Sequence, residues 1–202
     1  GNDTIWAGSG TSIIKTGSGN DVIYGGSGIE NIDAGSGNDY IYASAGNDVI
    51  DGADDSDTVD YSSSTTGITV TLANDGALTS VSHNISGVFI DNLTNIEGIK
   101  GSSTVSNTLT GNNMNNTLIG GNQADVIKGG SGNNYLNGGA GINTIYAGTG
   151  SDTIIGGSSD ANWLYYSDIS ADVNVNLKAG TATYGSSTDT ISQIRNLQMG
   201  NG

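Results

Sequence analysis

Carboxylates recur in this chain two residues ahead of an aliphatic residue, inside short glycine-rich stretches. Asp3, Asp21, Asp39, Asp48, Asp57, Asp125 and Asp152 all stand in that place. Carboxylate oxygens joined by main-chain carbonyls are what a hard divalent cation takes, and calcium takes about six to eight of them. Glycine suits such a site because it lets the backbone turn tightly enough for carbonyls to converge. Gly17, Gly19, Gly35 and Gly37 precede Asp21 and Asp39 at the spacing such a turn needs. Asp54 and Asp55 sit in a turn of the same kind, just before Asp57. Asp55 there either adds a ligand near Asp57 or belongs to a solvated loop that ends the array.

The elements that would position these groups follow from the period. Fourteen stretches fit one nine-residue template, G-G-x-G-x-D-x-U-x, with U a large aliphatic. Thr16-Gly17-Ser18-Gly19-Asn20-Asp21-Val22-Ile23-Tyr24 is a clean copy. The eighth position runs Ile5, Ile14, Ile23, Ile32, Ile41, Ile50, Val59, then Leu109, Leu118, Ile127, Leu136, Ile145, Ile154 and Leu164. A fixed short period means a solenoid, in which each unit is stable because its neighbours bury it. Glycine takes 34 positions and there is no proline or cysteine, which is unlike an ordinary globule. With the aliphatic position so regular, disorder is the weaker reading.

Over about two thirds of its length the chain resembles the repeat-in-toxin (RTX) family, whose calcium-binding nonapeptide has this template. The resemblance implies an all-β fold, a right-handed parallel β-roll or β-helix solenoid. Each unit would be a six-residue turn and a three-residue strand, with two units per coil of about eighteen residues. Position 8 would face inward and positions 7 and 9 outward, since strand side chains alternate. In that family each ion sits between turns on the same edge, so position 6 is to be followed every second unit. One edge of the first array then carries Asp3, Asp21, Asp39 and Asp57, an unbroken carboxylate series. The other carries Ser12, Glu30 and Asp48, where serine lacks charge and glutamate is one methylene too long. Calcium is expected along the first edge and sparsely, or not at all, along the second.

The second array departs from the pattern. Its position-6 residues are Asn107, Asn116, Asp125, Asn134, Asn143, Asp152 and Asn162. No two aspartates face each other there, and stacked amides can hydrogen-bond along a ladder without metal. A calcium-poor, partly metal-independent solenoid is expected, with weak sites at most at Asp125 and Asp152.

Four segments follow: a first array at 1–60, an inter-array strand segment at 61–101, an Asn-rich second array at 102–165, and a second such segment at 166–202. The two intervening segments resemble each other. Val59, Tyr61, Ile68, Val70 and Leu72 match Leu164, Tyr166, Val173, Val175 and Leu177 at a constant offset, and Asp91, Leu93, Ile96 and Ile99 match Asp189, Ile191, Ile194 and Leu197 at a smaller one. Seven extra residues are expected in the first copy, around Ser82–Val88. Residues 68–72 and 173–177 alternate with period two and are expected to be half-buried strands. Gly1 falls in mid-repeat, so the chain is expected to be a piece of a longer protein.

The net charge of -15 repels phosphate backbones and anionic membranes, disfavouring nucleic acid, and no apolar run suits membrane insertion. Eleven of the 20 carboxylates lie in residues 1–60, where bound cations would relieve the repulsion. His83, the lone histidine, stands beside Ser82 with no aspartate nearby in sequence, so the pair is taken as chance neighbours rather than part of a triad. The carboxylates are explained by their spacing as ligands rather than as a glycosidase acid and base. Trp6, Tyr24 and Tyr42 should align on one outward face, as cross-strand packing or as a contact for a surface glycan.

These observations favour a non-catalytic, secreted calcium-binding scaffold, part of a bacterial cell-surface layer, filament or large adhesin, exported by type I secretion. Its partners would be calcium ions and homo-oligomer, filament or lattice neighbours. The alternative is an export and stability appendage of a secreted protease, lipase or cytolysin.

Overall fold

The computed structural model describes residues 1–74 and 76–200; Asp75, Asn201 and Gly202 lie outside the described residues. All regular structure among them is β-strand, and no helix among them is long and apolar enough to cross a membrane. The first array forms β1 (Thr4–Trp6), β2 (Ser12–Lys15), β3 (Val22–Tyr24), β4 (Glu30–Asp33), β5 (Tyr40–Tyr42), β6 (Val49–Asp51) and β7 (Thr58–Asp60). The next segment supplies β8 (Thr69–Thr71), β9 (Thr79–Asn84), β10 (Val88–Thr94) and β11 (Gly98–Lys100). The second array forms β12 (Thr108–Thr110), β13 (Thr117–Gly121), β14 (Val126–Lys128), β15 (Tyr135–Gly139), β16 (Thr144–Tyr146), β17 (Thr153–Ile155) and β18 (Trp163–Tyr166). The chain ends on β19 (Asn174–Asn176), β20 (Thr181–Tyr184), β21 (Ser187–Ser192) and β22 (Asn196–Met199).

Alternate strands stack in parallel on two faces, so the molecule is a parallel β-roll. One face is an 11-stranded sheet ordered β1-β3-β5-β7-β11-β13-β15-β17-β21-β20-β19. The other is split into β2-β4-β6-β10-β9 and β22-β18-β16-β14-β12-β8. Because strand side chains alternate, one residue of each three-residue strand points inward, and the aliphatic position supplies it. Ile5, Ile23, Ile41, Val59, Ile99, Leu118, Leu136, Ile154 and Ile191 are successive register partners on the first face. All of these but Ile5 are buried. Ile14, Ile32, Ile50 and Leu93 form the facing column below, and Val70, Leu109, Ile127, Ile145, Leu164 and Leu197 the one above. The core is thus one continuous sandwich two side chains thick, consistent with a row of units none of which could stand alone.

Turns close the strands tightly. Gly37 has φ +117°, a backbone region that side-chain-bearing residues rarely adopt. A Cβ there would also collide with the Gly19 carbonyl of the preceding coil, so the edge has no room for one.

Both intervening segments leave the roll as an antiparallel strand and rejoin it as a parallel one. β9 pairs antiparallel to β10, and β10 then stacks on β6. β20 pairs antiparallel to β21, and β21 then stacks on β17. The seven extra residues are divided, not gathered at Ser82–Val88. Ten residues separate Val81 from its partner Asp91 but seven separate Ala182 from Asp189, so three lie in the hairpin. The other four lengthen the connection from β8 to β9, since Val70 and Val81 are eleven positions apart but Val175 and Ala182 seven.

The corresponding strands at 68–72 and 173–177 differ in burial. Ile68, Val70 and Leu72 are buried, with β8 paired in parallel to β12. Val173 and Val175 are partly buried and Leu177 is exposed, with β19 paired only to β20.

Candidate metal centre

The position-6 side chains line up along both edges of the roll, and Asp21, Asp39, Asp48, Asp57, Asp125, Asn134, Asn143, Asp152 and Asn162 each accept the backbone N–H of the position-6 residue one coil earlier. On the first edge Asp21 Oδ1 accepts Asp3 N–H at 2.7 Å, Asp39 Oδ1 accepts Asp21 N–H at 2.7 Å, and Asp57 Oδ1 accepts Asp39 N–H at 2.8 Å. One oxygen of each aspartate is thus spent on the fold. The other, Oδ2 of Asp21, Asp39 and Asp57, is buried without a hydrogen-bond partner. A buried carboxylate oxygen without a partner is costly, and a cation is the group that would satisfy it.

Electrostatics point the same way. Burial, then the charges of Asp39, Glu97 and Asp55, push the Asp57 carboxyl up to about 8 against one N–H bond that lowers it. Asp39 is raised as well, by burial first. A folded-state value above the ordinary one means that this stability is present at low pH and lost as pH rises towards about 8. A divalent cation held by these carboxylates would remove that penalty by taking the place of the proton.

Among the described residues no three acidic or imidazole side chains gather into a cage. A cation on this edge must therefore be completed by backbone oxygens, and stacked glycine turns provide them. A Cβ at Gly35 would strike the Gly17 carbonyl, and one at Gly37 the Gly19 carbonyl, so successive carbonyls line the edge beside the carboxylates. The donor set of Asp21, Asp39, Asp57 and turn carbonyls is all oxygen, which fits calcium. Gly17 and Gly19, with φ of +94° and +123°, hold the turn open.

The other candidates are placed differently. Asp3 is exposed in the first coil of the described residues. Asp55 is exposed at φ +80°, where the template has glycine, and acts on Asp57 through its charge. Asp48 is buried, but its Oδ2 accepts the Ser44 hydroxyl at 3.2 Å, and burial raises its carboxyl to about 6. Glu30 folds back on its own turn, Oε2 taking Gly26 N–H at 3.3 Å, and leaves Oε1 buried without a partner.

The second array solves the same turn with an amide. Asn134 Nδ2 donates to the carbonyls of Ser131 and Gly132 at 3.3 and 3.2 Å. Asn143 Nδ2 donates to Ala140, Gly141 and Gly156 at 3.1, 3.3 and 3.0 Å, so it bridges two successive turns of one edge. Asn162 Nδ2 likewise reaches Gly157, Ser159 and Gln193 at 3.2, 2.6 and 3.3 Å. The amide nitrogen supplies the positive end that turn carbonyls otherwise require from a cation. Asp125 and Asp152 interrupt these amides, each with Oδ2 buried and without a hydrogen-bond partner, and burial raises Asp152 to about 7.

The expectation that no aspartates face each other in this array is corrected by the structure. Asp152 N–H donates to Asp189 Oδ1 at 2.9 Å, because the last segment returns to the edge on β21. Glu97 and Asp91 do the same after the first array, accepting Asp57 and Asp48 N–H at 3.1 and 2.9 Å. All three lie outside any nonapeptide, so the period could not reveal them. One signal was present: Asp91 and Asp189 are at matched positions of the two segments.

The placing of His83 is corrected too. Its Nε2 lies 3.1 Å from Asp91 Oδ2, both side chains fully buried, and Tyr61 donates to the same oxygen at 3.0 Å. The hairpin β9–β10 brings the aspartate across from a neighbouring strand. Ser82 alternates to the outside and is exposed, so it does not share the buried side of β9 with His83. In the second segment Tyr184 stands where His83 does, and Asp189 accepts from Tyr166 at 2.7 Å and Tyr184 at 3.2 Å. The repeated knot is an anchor for the hairpin.

Trp6, Tyr24 and Tyr42 form one stack, with centroids 5.3 and 4.4 Å apart and planes within 4°. Each ring thus covers one face of the next.

The chain matches the model of the RTX calcium-binding nonapeptide repeat in four copies, over residues 1–29, 24–59, 110–145 and 137–160. No curated protein matches the chain. Calcium is the cofactor of these repeats, and they are typical of proteins exported by type I secretion.

Proposed function

The chain belongs to the RTX calcium-binding nonapeptide repeat family, and on that premise we propose that it is an extracellular scaffold module whose first array folds when it meets calcium. It serves as a structural part of a cell-surface layer, filament or adhesin rather than as a catalyst. One observation carries the reading: Asp21, Asp39 and Asp57 each hold one buried oxygen without a partner beside turn carbonyls. These three aspartates are the residues we assign to calcium on the first edge. Where free calcium is low the acidic turns repel one another, and the array stays open for export. Outside, millimolar calcium falls in the range of weak protein sites, and binding becomes folding free energy. The Asn-rich second array holds its turns by amide bonds and needs little metal.

The test is a calcium titration followed by circular dichroism, on the wild type and on Asp21→Ala/Asp39→Ala together, which removes the carboxylate oxygens without supplying an amide donor in their place. The expected result is strand signal gained on adding calcium, with the double variant needing at least about tenfold more, a shift of about 1.4 kcal/mol. Full strand signal in chelator, with the variant indifferent, would overturn the assignment.

A further inference from the structure

We propose that the hydroxyl of Tyr184 occupies a calcium seat, so that the step of the column between Asp152 and Asp189 is held by the protein's own donor and closed to the metal. The seat is recognisable because it repeats one on the first edge. Asp152 donates its N–H to Asp189 Oδ1 at 2.9 Å, as Asp21 does to Asp39 Oδ1 at 2.7 Å. Gly148 and Gly150 precede Asp152 at the same spacing as Gly17 and Gly19 precede Asp21. Their φ angles of +85° and +125° lie beside the +94° and +123° of that pair. Two carboxylates and two turn carbonyls are thus set out alike at both places. As on the first edge, one carboxylate oxygen, Asp152 Oδ2, is buried without a hydrogen-bond partner.

What differs is the group among these oxygens. Tyr184 Oη donates to the Gly150 carbonyl at 2.7 Å, with Asp189 Oδ1 at 3.2 Å and the Gly148 carbonyl at 3.4 Å also in reach. A phenol carries one proton, so the three oxygens share it. The hydroxyl arrives because β20 turns antiparallel onto β21, with Tyr184 opposite Ser187. Its ring is buried and meets Tyr166 edge-on, with centroids 5.9 Å apart. On the first edge the residue at the same distance before Asp39 is Ala34, whose methyl group has no donor to offer. Ion and hydroxyl cannot share the place. Calcium lies about 2.3–2.6 Å from its oxygens, and the phenol oxygen already stands 2.7 Å from the Gly150 carbonyl and 3.2 Å from Asp189 Oδ1. The Asn-rich array, which holds its other turns by amides, thus holds its Asp152 step by a phenol.

This inference rests on the calcium reading of the first edge, which supplies the likeness. The experiment is hydrogen exchange resolved along the chain, in chelator and in saturating calcium, with circular dichroism on the same samples. The wild type, Tyr184→Phe and Tyr184→Ala are compared. In the wild type, calcium is expected to change exchange over residues 147–155 by less than about twofold. Tyr184→Phe removes the donor but keeps the ring in the seat, so this stretch exchanges at least about tenfold faster, with calcium or without. Tyr184→Ala clears the seat. Its exchange rises as much in chelator, and calcium slows it again by at least about tenfold. Wild-type residues 147–155 slowed by calcium as much as those of Tyr184→Ala overturn the proposal, since the hydroxyl would then exclude nothing. So does Tyr184→Phe exchange equal to the wild type, or a Tyr184→Ala stretch that stays fast in calcium, whether that chain is folded or not. Residues 1–60 left unprotected by calcium in all three chains overturn the calcium reading, and this inference with it. The two failures are told apart because they are read from different residues.

Discussion

At position 6 the difference between aspartate and asparagine is a choice between a metal and an amide. Both residues spend one oxygen on the N–H of the coil before, as Asp39 does for Asp21 and Asn143 for Asp125. The second atom of the head group decides the rest. Asp39 turns a buried, partnerless oxygen towards the carbonyl-lined edge, whereas Asn143 turns an N–H2 that three carbonyls accept. Asn143→Asp is therefore expected to lose those bonds and face the carbonyls with negative charge, costing about 3 kcal/mol or more in chelator. It also creates a carboxylate pair with Asp125, eighteen residues away as Asp21 is from Asp39. Calcium should restore most of the loss. Denaturant unfolding with and without calcium checks this, and a variant as indifferent to calcium as the parent would refute it.

Among the elements, the two hairpins are where the periodic stack is interrupted: β9 and β19 are edge strands of their sheets, and the second face is split at the first hairpin. β9 turns antiparallel, β10 rejoins the roll on β6, and Asp91 anchors the return. That carboxylate accepts from Asp48 N–H and Tyr61 and lies beside His83, in a setting with no solvent access. Asp91→Ala would leave three buried polar groups without their partner. A loss of about 3 kcal/mol or more is expected, since each such group costs about 1–3 kcal/mol. Thermal unfolding in saturating calcium measures it; a change under about 0.5 kcal/mol, the range of ordinary surface substitutions, would mean that the knot is incidental.

Over the whole molecule, charge and amide are unevenly shared, and so is dependence on metal. Residues 1–60 hold more than half of the acidic side chains, while residues 102–165 hold their turns with asparagine. Hydrogen exchange in chelator should find the backbone of 102–165 protected and that of 1–60 exchanging freely, with calcium slowing the first array by at least about a hundredfold, or about 2.7 kcal/mol. Uniform exchange of both arrays in chelator would show that the two columns are held by the same means.

The sequence alone was enough for the solenoid, the cation and the columns. A nine-residue period with one aliphatic per unit admits a single way of burying it, and Asp21, Asp39 and Asp57 recur in step with that period. Burial and register are periodic properties, so a periodic sequence expresses them. What only the tertiary structure decided is everything that arrives from outside the period. Asp91, Glu97 and Asp189 complete the columns from strands that leave the stack and return, over separations of 43, 40 and 37 residues from the N–H groups they accept. His83 meets its aspartate by the same route. Where a strand of an intervening segment comes back onto the stack depends on the length of the connection before it, and connection length follows no repeat, so those contacts exist only once the chain has folded.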